Sequence, residues 1–148
     1  MKQEKVRFTK IKKNAKKPSY GTEYAAGADL YACIENKMMV EPGQTVFVGT
    51  GLTMEIPAGF VGLIYARSGL ACKRGLAPAN KVGVIDSDYR GEIIVALHNH
   101  GGETVEIENE ERVAQMVIAP YIFAKYEEAD SLEETNRGAG GFGSTGRG

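Results

Sequence analysis

The residues that could do chemistry in this chain lie in five short segments, each setting charged or hydroxyl-bearing side chains among small or apolar neighbours. The first is Ala26-Gly27-Ala28-Asp29-Leu30-Tyr31-Ala32, with a single carboxylate in apolar company. If that carboxylate is buried it must be paired, hydrogen-bonded or near a metal; if exposed, it is an ordinary turn aspartate. The second, Ala66-Arg67-Ser68-Gly69-Leu70-Ala71, offers a guanidinium fork, a hydroxyl and a backbone that can approach closely, all suited to phosphate. Ser68 is equally an ordinary helix cap.

The third segment runs Asn80-Lys81-Val82-Gly83-Val84-Ile85-Asp86-Ser87-Asp88-Tyr89-Arg90-Gly91-Glu92. Asp86-Ser87-Asp88 with a later glycine is good turn chemistry. It also sets Asp86 at a strand end, as a general base requires, with the Tyr89 ring beside it. The fourth is Arg112-Val113-Ala114-Gln115-Met116-Val117-Ile118. Strict alternation puts Arg112 and Ala114 on one face and Val113 and Gln115 on the other. Gln115, amid apolar neighbours, needs a partner from backbone, another subunit or substrate. The fifth, Arg137-Gly138-Ala139-Gly140-Gly141-Phe142-Gly143-Ser144-Thr145-Gly146, is no Walker A loop, because no Gly-Lys-Ser/Thr closes it. Its Arg, Ser and Thr donors on a glycine backbone still suit phosphates, and Phe142 could stack on a base. A disordered tail is the competing reading.

These segments need a scaffold, and 148 residues suit one domain with a core of its own. The formal net charge of -1 gives no basic field for nucleic acid or an anionic membrane surface. Lysines 10, 12, 13, 16 and 17 lack interleaved aromatics and read as a solvated face. Cys33 and Cys72 are too few for a disulfide framework. No apolar run is long enough to span a membrane, and no signal-type leader opens the chain. A soluble, cytoplasmic protein is expected.

The remaining sequence reads as short strands and turns. Residues 45–56 are β-branched and follow Glu41-Pro42-Gly43-Gln44, which suits a type II turn. Pro57-Ala58-Gly59 then leads to 60–65, giving a hairpin-like pair. Residues 92–97 and 104–107 flank the turn His98-Asn99-His100-Gly101-Gly102, and 112–126 is apolar with a break at Pro120. One short helix is expected at 68–74, with Ser68 as its cap and Gly75 as its stop. The fold class is therefore all-β, a jelly-roll-like sandwich or distorted barrel of short strands. A single all-β domain is expected at 1–126, followed by a flexible spacer and glycine-rich tail at 127–148. His98 and His100 could begin a metal site, but no third ligand is evident.

Taken in order and at these separations, the five segments resemble the trimeric dUTP pyrophosphatase family. The resemblance covers about 26–146, and its most specific parts are 83–91 and 137–146. It implies hydrolysis of dUTP to dUMP and pyrophosphate, keeping uracil out of DNA and supplying dUMP for thymidylate synthesis. It implies that Asp86 is the general base for a water attacking the α-phosphorus, with Mg2+ bridging the phosphates and Asp29 holding waters on that ion. Arg67, Ser68 and Gly69 would bind the α- and β-phosphates, and Gln115 would support that network. Asn80 and backbone groups of a hairpin after it would read uracil, while Tyr89 under the deoxyribose would exclude ribonucleotides. Arg137, Ser144 and Thr145 would clamp the γ-phosphate, with Phe142 and Gly143 in the segment that closes over the base. The implied assembly is a homotrimer with active sites shared between subunits. Ala66 stands where relatives commonly carry proline, a departure the chemistry does not depend on. A dCTP deaminase shares this fold, and a non-catalytic nucleotide-binding module is the alternative outside enzymes.

Overall fold

The computed structural model describes residues 3–142. Its strands follow the apolar and β-branched runs: β1 (Arg7–Lys10), β2 (Ser19–Tyr20), β3 (Ala28–Tyr31), β4 (Met38–Val40), β5 (Thr45–Glu55) and β6 (Phe60–Tyr65). One helix among the described residues, α1 (Ser68–Arg74), precedes β7 (Leu76–Pro78), β8 (Gly83–Ile85), β9 (Glu92–Asn99), β10 (Val105–Ile107) and β11 (Arg112–Pro120). One sheet has the order β1-β5-β9-β7, a second has β2-β3-β11-β6-β8, and β10 pairs with β4. Val48, Ile93 and Leu97 from the first and Leu30, Ile64 and Met116 from the second meet in one buried core. Each such side chain removed from water contributes about 1.5–3 kcal/mol, so alternation along each strand decides which face turns inward. The architecture is the expected jelly-roll-like sandwich, with sheets that do not close into a barrel.

The turn at 41–44 forms as read: Gln44 N–H donates to Glu41 O at 2.9 Å and Gly43 takes φ 79°. The hairpin expected across 57–59 does not form. β5 pairs with β1 and β9, whereas β6 pairs with β11 and β8, so Pro57-Ala58-Gly59 carries the chain from one sheet to the other. Both strands have an apolar face to bury, and placing them in opposing sheets buries both against each other.

Two further expectations are corrected. Arg67, not Ser68, is the cap residue of α1, in extended conformation and without a side-chain cap bond. Ser68 is the first helical residue, and Gly75 stops the helix in the left-handed region at φ 72°. Strict alternation in β11 fails too: the register against β3 shifts between Arg112 and Ala114, leaving Val113 as the extra residue of a bulge. Val113, Ala114 and Met116 all reach the core, and Arg112 is turned to the opposite face.

The two histidines each find a partner within the fold. Between them the fully buried Asn99 donates to Val40 O and Glu103 O and accepts from Gly101 N–H. His98 Nδ1 lies 3.0 Å from Thr45 Oγ1, and His100 Nε2 lies 3.0 Å from Ala71 O, tying α1 to the loop after β9. Residues 121–142 form no strand or helix and are almost wholly exposed.

Candidate active site

The outer face of the five-stranded sheet gathers three of the five segments. Gln115 on β11 stands in register with Asp29 on β3 and with Tyr65 on β6. Arg67 follows Tyr65 by two residues and donates from Nε to Asp29 Oδ1 at 2.8 Å. Arg112 Nη1 donates to the other oxygen, Oδ2, at 3.3 Å. Asp29 is only 8% exposed although it faces away from the core, because these two guanidinium groups cover it. It is therefore the paired, buried carboxylate and not the turn aspartate.

Gln115 finds its partner in backbone: Nε2 donates to Ala66 O at 2.9 Å, fixing the chain just before Arg67. Its amide oxygen occupies the space beside Gly27 that any Cβ there would enter. Ser68 and Gly69 are exposed at the start of α1, and a Cβ at Gly69 would meet only open space. The surface beside Arg67 is thus open to a ligand, and the local charge of Asp29, Arg67 and Arg112 is positive, which favours an anion.

A second place lies between the sheets. A groove of about 320 Å³ is lined by Phe47, Pro78, Asn80, Gly83, Ile94 and Ala96. The expected hairpin after Asn80 is instead a strap: β8 pairs only with β6, and β9 with β5 and β7. Each strand takes the partner whose apolar face it shares, which leaves β8 with one unpaired edge. Among the described strands, residues 92–95 of β9 likewise have none on the side facing β7. These backbone edges and the Asn80 amide can read a flat, hydrogen-bonding ring. Lys81 in the bend takes φ 65°, a conformation non-glycine residues seldom adopt.

Asp86 and Tyr89 sit in the loop between β8 and β9. Tyr89 N–H donates to Asp86 O at 3.2 Å, and the Tyr89 hydroxyl donates to Glu92 O at 3.0 Å. The ring lies against Gly91, where a Cβ would stand 2.9 Å from Tyr89 Cε2. Arg90 closes the loop by donating to Ser87 O and Tyr89 O. The Asp86 side chain is exposed.

A single chain does not bring these places together. Asp86 follows Ile85, which is level with Gly62, whereas Asp29 is level with Tyr65 and three strands away. At strand rise and spacing, that separation is roughly 20 Å. Arg137 donates from Nε to Gly140 O within its own turn, and Phe142 is fully exposed. Gly143, Ser144 and Thr145 lie outside the described residues.

Arg112 is the residue that sequence reasoning missed. The signal was present, since alternation would have buried an arginine beside Ala114, and arginine is almost never buried unpaired. Away from the site, the side-chain hydrogen bond between Lys37 and Glu106 raises the pKa of the former and lowers that of the latter. Among the described residues no group of three His, Cys, Asp or Glu could hold a metal by itself. A lone carboxylate fits magnesium only as an outer partner, through waters on an ion that substrate phosphates also bind.

Fold and site together define a β-sandwich protein with a net-positive arginine–aspartate cluster on one sheet face and a separate groove beside Asn80. The dUTPase family model matches residues 13–146. A deoxyuridine 5'-triphosphate nucleotidohydrolase of Desulfitobacterium hafniense is 51% identical over 143 residues, covering 96% of this chain and 95% of that protein. One of the same description from Nautilia profundicola is 50% identical, covering 97% and 99%. The Staphylococcus bacteriophage 80alpha dUTPase, solved with dUPNHPP, superposes with a TM-score of 0.89 at 26% identity, covering 97% and 99%. The chain belongs to the dUTPase family.

Proposed function

We propose that the chain hydrolyses dUTP to dUMP and pyrophosphate. The observation that carries this reading is the assembly of Gly27, Asp29, Arg67 and Gln115 on one sheet face, in a chain of the dUTPase family. Arg67 turns its guanidinium to the α- and β-phosphates, with the Ser68 hydroxyl and the open backbone at Gly69 beside it. Gln115 keeps the backbone before Arg67 in place through Ala66 O. Uracil enters the groove at Asn80, where fixed backbone donors and acceptors reject a mismatched base. Tyr89, held against Gly91, packs under the deoxyribose and leaves no room for a 2′-hydroxyl.

Asp86 takes a proton from the attacking water as its oxygen bonds to the α-phosphorus. The bridging bond to the β-phosphate breaks and pyrophosphate leaves. Magnesium, when bound with the triphosphate, offsets phosphate charge, and Asp29 is the residue that would hold its waters. Arg137, Ser144 and Thr145 engage the γ-phosphate, while Phe142 and Gly143 close over the base and exclude water.

The separation of Asp86 from Asp29 within one chain supports an active site built from more than one copy, and so a homotrimer. Exposed Ile122, Phe123 and Tyr126, just beyond β11, fit the same reading, since a neighbouring copy would cover them. In this scheme residues 1–126 are the catalytic domain and 127–148 the closing segment. No helix among the described residues is long and apolar enough to cross a membrane. A cytoplasmic location accords with the free Cys33 and Cys72. The product dUMP would serve thymidylate synthesis while dUTP is kept from DNA.

The experiment is pyrophosphate release from dUTP, dCTP, dTTP and UTP, with magnesium and with chelator. Fast magnesium-dependent release from dUTP alone is expected. Ammonia from dCTP would mean a deaminase, and silence on every substrate a binding module.

A further inference from the structure

The strand that opens just after Tyr89 is tied at its start by side chains as well as by backbone. Gly49 of β5 is level with Ile94 of β9, and Thr53 is level with Glu92, so Thr50, Gly51 and Leu52 face Ile93 alone. The backbone ladder is interrupted across this bulge. Two side chains span it: the Thr50 hydroxyl donates to Ile93 O at 2.7 Å, and Gly51 N–H donates to Glu92 Oε1 at 2.7 Å. Gly51 takes φ 68°, and Gly49 leaves the carboxylate its room, since a Cβ there would stand 2.5 Å from Oε1.

On the opposite edge, residues 92–95 pair with none of the described strands. The Glu92 carboxylate thus ties down a piece of backbone that has two tasks. Ile94 and Val95 line the groove at Asn80, and Glu92 O is the seat of the Tyr89 hydroxyl at 3.0 Å.

We propose that Glu92 is a positioning residue for the choice of sugar: by holding Gly51 N–H it fixes the backbone on which the Tyr89 ring is seated. The role rests on the hydrolase reading above, in which that ring lies under the deoxyribose and leaves no room for a 2′-hydroxyl. Glu92 acts through Tyr89 and touches neither sugar nor phosphate. With the tie cut, Glu92 O shifts and the ring loses its seat. Space then opens where a ribose would put its 2′-oxygen, and UTP turnover rises relative to dUTP.

The test is kcat/KM for dUTP and for UTP, measured by pyrophosphate release on the full-length protein, with enough enzyme to register slow UTP turnover. Losing a hydrogen bond to a charged group shifts an equilibrium by about 10-fold. Glu92→Ala should therefore raise the UTP-to-dUTP ratio of kcat/KM by about 10-fold. Glu92→Gln, which keeps an acceptor for Gly51 N–H, should restore most of the discrimination. Gly49→Ala displaces the same carboxylate from β5 and should raise the ratio as Glu92→Ala does, which serves if Glu92→Ala does not fold. In a Tyr89→Phe background, which lacks the bond to Glu92 O, Glu92→Ala should raise the ratio no further. Equal losses on both substrates would overturn the proposal, as would an unchanged ratio, no rescue by glutamine, or a full additional rise in the Tyr89→Phe background. Wild-type protein that does not cleave dUTP would instead bring down the hydrolase reading, and this role with it.

Discussion

Replacing Gly27 with alanine tests the geometry of the anion cluster without touching a polar group. The new Cβ would overlap the Gln115 amide oxygen and stand 3.0 Å from Gln115 Cδ and 3.2 Å from its Cβ. Gly27 immediately precedes β3, whose Ala28 is paired with Met116 next to Gln115, so the Gln115 side chain is the part expected to rotate. Rotation takes Nε2 from Ala66 O and releases the backbone that sets Arg67. One lost hydrogen bond costs about 1 kcal/mol. For a domain of this size, that lowers Tm by roughly 2–4 °C. The catalytic effect should be larger, because a displacement of about 1 Å in a positioning element can cost about 100-fold in rate. We expect Gly27→Ala to lower kcat/KM for dUTP by about 10- to 100-fold, measured by pyrophosphate release, with the fold retained. Gly21→Ala, where a Cβ meets nothing within 4 Å, is the matched control and should be silent. Adding Gln115→Ala relieves the overlap but not the lost bond to Ala66 O, so the double variant should recover neither wild-type stability nor activity. A Gly27→Ala enzyme with wild-type kcat/KM would refute the coupling of Gly27 through Gln115 to Arg67.

Asp86→Asn should leave binding of α,β-imido-dUTP within a few-fold of wild type. Turnover should fall by roughly 100- to 10,000-fold, the usual range for a lost general base. Gly91→Ala should push the Tyr89 ring off its seat, and UTP should then compete measurably with dUTP in a mixed-substrate assay. Truncation after Asn136 should abolish dUTP hydrolysis while size-exclusion chromatography still reports the oligomer of the full chain.

The parts of the site that were legible in sequence are those whose chemistry is local. Asp29 among apolar neighbours left two local readings, a paired buried carboxylate or a turn aspartate, and it is paired. Gln115 needed a partner and found Ala66 O. Gly43 and Gly75 marked their turns because a positive φ is a property of one residue. What was not legible depends on distant partners. Residues 45–56 and 60–65 look like a hairpin along the chain, but their apolar faces fit opposing sheets, and no local pattern records which sheet a strand joins. The bulge at Val113 defeats period-two reasoning for the same reason: it exists to satisfy β3, far earlier in the chain. Residues 80–92 hold both signals, a local turn at Asp86 and Tyr89 and a groove whose far wall comes from Phe47 and Ile94.

The place of β11 has a consequence for how the protein is made. It is the last of the described strands, yet it lies in the interior of its sheet, with β3 on one side and β6 on the other. As the polypeptide leaves the ribosome, N-terminal residues first, β3 and β6 both emerge with open edges and no partner between them. Neither can be sealed until residues 112–120 are out, and those same residues bring Arg112 and Gln115 to Asp29. Completion of the sheet and assembly of the anion cluster are therefore one event. A nascent chain that stalls before this strand carries no partial activity and two exposed strand edges, which makes it a natural client for chaperones.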